Sequence, residues 1–235
     1  MLPVSYDPKS GIGKGDGVTQ EIRVDSYPEE TKVRIACIGD GSCFIHSVLK
    51  AIDPIYANNP NYVHRTSRAS KFRRDLAVLL NKKVDPKDPK SKSYYQKAAN
   101  GALMELALQQ MQLGLTITDS LGQPMDYSLS GIQGLLNSRR DLGDEIYGYI
   151  TEVLGIDVYV TRLTTTDLQP HIKSLGAKRN PQGNTPYDKG LILVISGNGI
   201  HYEIIGIKRN GNIQVIFEQE DPFIKALDTS FNPKL

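Results

Sequence analysis

Residues 32–52 read KVRIACIGDGSCFIHSVLKAI, and two periodicities meet inside them. In KVRIACI (32–38), Val33, Ile35 and Cys37 fall on one face and Lys32, Arg34 and Ala36 on the other. Such period-two alternation marks a half-buried strand. From Cys43 the spacing becomes helical. Phe44, Ile45, Val48, Leu49 and Ile52 cover most of a helix and leave Cys43, Ser47 and Lys50 as a narrow polar stripe. A helix apolar on most sides belongs in a core. Strand, Asp-Gly turn and buried helix therefore set a cysteine at the mouth of a central helix.

Outward from this unit, helices are expected over 66–83, with Thr66 or Ser67 as a cap, and over 94–112 in spite of Gly101. A further helix is expected over 141–155, entered through an acidic turn. Strands are expected at 156–163, 191–196, 200–208 and 213–218, with a short one at Leu115–Thr118. Asn210-Gly211, in RNGN (209–212), marks the last hairpin. Residues 84–93, the rest of 113–130 and 164–189 read as loop or polar connection, and GNG (197–199) as a turn. This order points to an α/β or α+β domain, a small mixed sheet flanked by helices. Residues 1–20 read as an arm and 21–230 as a single domain.

Composition narrows the class. The 235 residues are 39% hydrophobic and 23% charged, with a formal net charge of +2, which gives no reason to expect a nucleic-acid or membrane partner. No stretch approaches 18 apolar residues, and the first residues lack an apolar signal core. Two cysteines form no disulfide framework, and a strand residue and a helix-start residue six apart rarely bridge. A soluble, cytoplasmic monomer is expected, in a host cytoplasm were the source viral or bacterial. GIGKGDG (11–17) lacks the preceding strand and the Lys-Ser/Thr of a phosphate loop. No metal is expected either, since Cys-x-x-Cys and His-Glu-x-x-His are absent.

The chemistry centres on Cys43. Helix N-termini carry unpaired N–H groups and partial positive charge, and both favour a thiolate. The N–H groups of the Asp40-Gly41-Ser42 turn, with that of Cys43, are placed to converge on a developing oxyanion. A cysteine nucleophile needs a base. His46 shares the helix of Cys43 and reads as packing; His64 and His171 lie in loop-like, solvated surroundings. His201 begins a strand and has Glu203 two residues on, on the same face. From the spacing alone, a catalytic pair and an exposed His-Glu pair on an edge strand are equally compatible with these residues.

GDGSCFIHSV (39–48) resembles the Asp-Gly-x-Cys motif of the ovarian-tumour (OTU) cysteine proteases, and GNGIHYEII (197–205) resembles that family's second motif, a late histidine followed by an aromatic residue. RRDLGDEIYGYITEVLGIDVYV (139–160) looks like the family's glycine loop, helix and following strand. The resemblance implies a papain-like OTU fold and cofactor-free hydrolysis of isopeptide bonds at the C-terminus of ubiquitin, or of a ubiquitin-like modifier. It makes Cys43 the nucleophile, His201 the general base and Asp40 part of the oxyanion loop, with Gly41, Ser42 and Tyr202 beside the substrate. Glu203 stands where the family more often has Asp or Asn. Against a basic substrate tail, Asp141, Asp144 and Glu145, around Gly143, are candidate partners, although for any one of them helix-dipole placement is the favoured account. Arg65, Arg68, Lys71, Arg73 and Arg74 read as a solvated helix face. Another papain-like thiol hydrolase or acyltransferase, or a silent ubiquitin-binding module on this scaffold, fits the same residues.

Overall fold

The strand expected over 32–38 forms over Lys32–Ile35, and the helical spacing from Cys43 takes the form expected of it. A computed structural model describes residues 16–119, 122–175, 187–196 and 201–231. In chain order the elements are β1 (Thr19–Ile22), β2 (Lys32–Ile35), α1 (Cys43–Ile52), α2 (Pro54–Ala57), α3 (Tyr62–Leu80), α4 (Tyr94–Lys97), α5 (Ala102–Leu113), β3 (Ile117–Thr118), β4 (Pro124–Met125) and α6 (Leu129–Asn137). They continue with α7 (Asp144–Leu154), β5 (Asp157–Leu163), β6 (Leu168–Leu175), β7 (Lys189–Ser196), β8 (His201–Arg209), β9 (Asn212–Gln214), β10 (Ile216–Glu218) and α8 (Pro222–Phe231).

The fold is α+β. Its main sheet runs β1-β2-β8-β7-β5-β6, with β9 on β8 and β10 on β7. Among the described residues, only β5 and β7 pair in parallel; the other pairs of that sheet are antiparallel. The sheet divides two apolar clusters. Cys37, Tyr202, Ile204, Val158 and Val160 face the larger one with α1, α3, α6 and α7. Ile205, Ile207, Tyr159, Ile192 and Val194 face the smaller one with Phe217 and α8. Burying both faces explains the near-continuous apolar run of LILVI at 191–195. It also changes the reading of β2, whose second face is covered: Lys32 is buried, its ammonium 4.6 Å from the ring centre of Tyr27.

Other departures have local causes. α3 begins four residues before its expected start, because Asn61 caps it by accepting the N–H of His64 at 3.1 Å, and His64 is thus helical. The helix expected over 94–112 breaks at Ala99, Asn100 and Gly101, all with positive φ. Glu152 of α7 accepts the N–H groups of Ala99 and Asn100, a tertiary cap that local propensity does not contain. Thr19 and Gln20 were expected in the arm and instead begin β1. Helices α2, α6 and α8 went unread, and β6 forms where a polar connection was expected, so His171 lies on a strand rather than in a loop. Asn210 and Gly211 both have positive φ, as a two-residue hairpin turn demands. The strand expected over 213–218 divides at Val215, β9 serving β8 and β10 serving β7. Residues 1–15 and the GNG turn lie outside the described residues.

Candidate active site

The β2–β8 ladder ends at Ile35–Ile204, and the site begins there. Beyond it, α1 takes the place of a strand. Tyr202 donates its backbone N–H to the Cys43 sulfur, and its carbonyl accepts from Ser47 Oγ at 3.0 Å. One helical turn separates Cys43 from Ser47, so the pair spans the two backbone groups of one strand residue. Lower on the same stripe, Lys50 donates to the Ala36 carbonyl at 3.1 Å. The polar stripe read from the sequence is therefore a side-chain edge that docks on two diverging strands.

This docking sets Cys43 one residue from His201. The His201 Nε2 lies 3.5 Å from Glu203 Oε1, so the two share a face as the period-two argument expects. Both are buried, at 1% and 2% exposure, which removes the exposed edge-strand alternative. Burial would raise the Glu203 carboxyl, but the hydrogen bonds of His201 and Arg34, with their charges, hold it below its ordinary range.

Cys43 corrects one expectation. The helix N-terminus was expected to favour thiolate, yet the thiol is 3% exposed and burial pushes it up to about 12, against the lowering contacts of the Tyr202 and Phe44 N–H groups. Desolvation outweighs the helix terminus in setting the direction of this shift. Cys37 is buried too and pushed up to about 11.

The loop before α1 is held from three sides. Asp40 Oδ1 accepts the Ser42 N–H at 3.1 Å and faces His46 Nε2 at 3.0 Å, while Nδ1 of His46 bonds the Tyr56 hydroxyl. Ser42 thus commits its N–H to Asp40 and not to an oxyanion. Burial would raise Asp40, but the His46 hydrogen bond and charge, the Ser42 N–H and the charge of Arg139 keep it low. Gly41 has φ +76°, and a Cβ there would meet the Arg139 carbonyl at 2.2 Å, so no side chain fits.

The third hold is Arg73, which corrects the solvated-face reading. It is 2% exposed. Its guanidinium donates to the carbonyls of Leu135 (2.9 Å), Leu136 (3.0 Å), Arg140 (2.9 Å) and Gly41 (3.4 Å) and to Ser42 Oγ (2.8 Å). A signal existed: Ala69, Arg73, Leu76 and Leu80 share one inward stripe of α3. Arg34 carried no such signal, because its partner Glu203 is 169 residues away.

A cavity of about 340 Å³ is lined by Asp141, Gly143, Asp144, Glu145 and Tyr202 of the expected set, while Cys43, His201 and Glu203 do not line it. Asp119, Tyr127, Tyr147 and His171 line it as well and were missed. Tyr147 donates to Asp141 at 2.7 Å and Tyr127 to Glu145 at 3.1 Å. Burial, then the neighbouring Glu145 charge, pushes the Asp144 carboxyl up. Asp144 and Glu145 also open α7, so helix-terminal placement and cavity lining coexist. Asp40, Gly41 and Ser42 do not line this cavity. Among the described residues there is no cluster of three metal-ligating side chains and no helix long and apolar enough to cross a membrane.

No family model and no curated protein matches the chain. Solved structures do. The chain is similar to an OTU domain determined in complex with ubiquitin, at 13% identity over 89% of this chain and 88% of that one, with a TM-score of 0.48. It is similar to an OTU deubiquitinase from Wolbachia pipientis wMel bound to ubiquitin, at 15% identity, 77% and 98% coverage and a TM-score of 0.42. The same Wolbachia enzyme without a stated partner is similar at 16% identity, 80% and 94% coverage and 0.43.

Proposed function

We propose that this chain is an OTU-type deubiquitinase, a thiol hydrolase that cleaves isopeptide bonds at the C-terminus of ubiquitin. The observation that carries the reading is the junction of α1 with β8. It puts a helix-start sulfur against the strand residue next to a buried histidine, and that histidine faces a buried carboxylate. The two sequence motifs that resemble the family supply these same residues.

Cys43 is the nucleophile and His201 its base. Glu203 faces Nε2, and in the proposed pair Nδ1 is the nitrogen that serves the sulfur. Since burial raises the thiol, its proton moves to His201 as sulfur attacks the substrate carbonyl carbon. The N–H of Cys43, at the start of α1, supports the developing oxyanion. His201 then protonates the departing amine as the C–N bond breaks, and water hydrolyses the thioester. Asp40 acts by shaping the loop through Ser42 and His46. Asp141, Asp144 and Glu145 receive a basic tail in the cavity they line, with Gly143 and Tyr202 in its wall. No cofactor enters this scheme, and the chain acts as a cytoplasmic monomer.

The test is release of aminocoumarin from ubiquitin conjugated at its C-terminus. Turnover that vanishes in Cys43→Ala and in His201→Ala supports the proposal. A folded protein that binds ubiquitin reversibly without turnover is a silent module. Thiol reactivity dependent on His201 without ubiquitin turnover marks a different hydrolase or acyltransferase.

A further inference from the structure

The Glu203 carboxylate has two oxygens with two different neighbours. Oε1 faces His201 Nε2, and Oε2 accepts a hydrogen bond from Nε of Arg34 on β2. In the β2–β8 register Arg34 stands opposite Ile205, two residues beyond Glu203 on the same face of β8. On the other side of β8, the β7 residue opposite Glu203 is Val194, which offers no charge. From the end of β2 the buried Cys37 thiol senses the Glu203 charge, and Lys50 of α1 bears on that thiol. Arg34 is thus the cation hydrogen-bonded to a carboxylate that is 2% exposed, while its own side chain is 16% exposed.

A glutamate has one more side-chain torsion than an aspartate, and an unheld glutamate has more ways to miss an imidazole two residues away. We propose that Arg34 is a positioning residue: by holding Oε2 it aims Oε1 at His201, so that a glutamate does here what a shorter acid does elsewhere. This rests on the function proposed above. The carboxylate is shared between a fixed cation and the base, and the cation keeps it in its accepting form.

The test compares wild type, Arg34→Lys, Arg34→Gln, Glu203→Gln and Arg34→Gln/Glu203→Gln, all checked for folding by circular dichroism. The readout is kcat and KM for aminocoumarin release from ubiquitin. If wild type does not turn this conjugate over, the readout is the rate of iodoacetamide alkylation at Cys43. Arg34→Gln is expected to lower kcat about 10-fold with KM changed less than about twofold, the size of one lost charge-assisted hydrogen bond. Arg34→Lys is expected to recover part of this. The acid limb of the Arg34→Gln profile is expected at higher pH than in wild type, since the carboxyl loses the cation that keeps it ionised. In the Glu203→Gln background, Arg34→Gln is expected to add nothing. Independent, multiplying effects of the two substitutions, or an Arg34→Gln protein with wild-type kcat, would overturn the inference and leave the function standing. A wild-type Cys43 whose reactivity does not depend on His201 overturns both.

Discussion

The two ends of β8 are built differently. At Ile204–Ile207 the strand pairs with β2 backbone to backbone, and its side chains are apolar and buried on both faces. At His201–Tyr202 β2 has turned away, and Cys43 and Ser47 of a helix occupy the edge it left. A completed ladder has no room beside it for a reactive side chain. A strand residue released from its ladder has a backbone N–H and C=O to be met by something else, and here the Cys43 and Ser47 side chains of α1 meet them. The ladder end gives rigidity, and the released end is where the proposed chemistry lies.

The largest expected effects lie at the released end. Cys43→Ala and His201→Ala are each expected to lower kcat/KM by about 1,000-fold or more, with melting temperature nearly unchanged in Cys43→Ala. A comparable loss from Cys37→Ser in a folded protein would break the distinction between the two buried thiols.

Arg73 bears on both loops of the site. Arg73→Met removes one donor from each of four carbonyls and a hydroxyl. A loss of about 3 kcal/mol in urea unfolding is expected, and Arg73→Lys is expected to recover little of it, because one ammonium cannot reproduce the planar fork.

A pair of substitutions sharpens the contrast between the ends. Ile204→Ala is expected to cost about 3 kcal/mol of stability by opening a cavity, with kcat of the folded fraction unchanged. Ser47→Ala is expected to cost only about 1 kcal/mol yet to reduce kcat, because Tyr202 loses one of the two contacts that align it with Cys43. Equal kcat in both variants would deny that the α1–β8 junction positions the sulfur.

The smallest effect is on pH. Glu203 and Asp40 are held below their ordinary values of 4.5 and 3.8. A lowered carboxyl contributes stability that is present above its unfolded pKa and is lost as pH falls through its folded one. Thermal melts are therefore expected to weaken as pH drops below those values, and Glu203→Gln is expected to flatten part of that slope.

How much of this the sequence exposed follows the same division. Lys32–Ile35, α1, β7 and the Asn210-Gly211 hairpin were legible, because each is set by a local period or a turn chemistry. The break after α4 was not, since its cause is a carboxylate on α7. The shared face of His201 and Glu203 was legible from period-two spacing, but the raised thiol of Cys43 was not. It depends on burial by residues from α7 and β8, which overrides what a helix N-terminus does alone. Arg73 sat within a readable stripe and was hidden by the usual exposure of arginines. Arg34 was unreadable: its partner is 169 residues away.

The most direct test of the central claim is mass spectrometry of the protein mixed with ubiquitin carrying a C-terminal electrophile. A single adduct on the peptide containing Cys43, absent in Cys43→Ala and greatly slowed in His201→Ala, is the expected result. No adduct with a folded protein, or an adduct on Cys37, would contradict it.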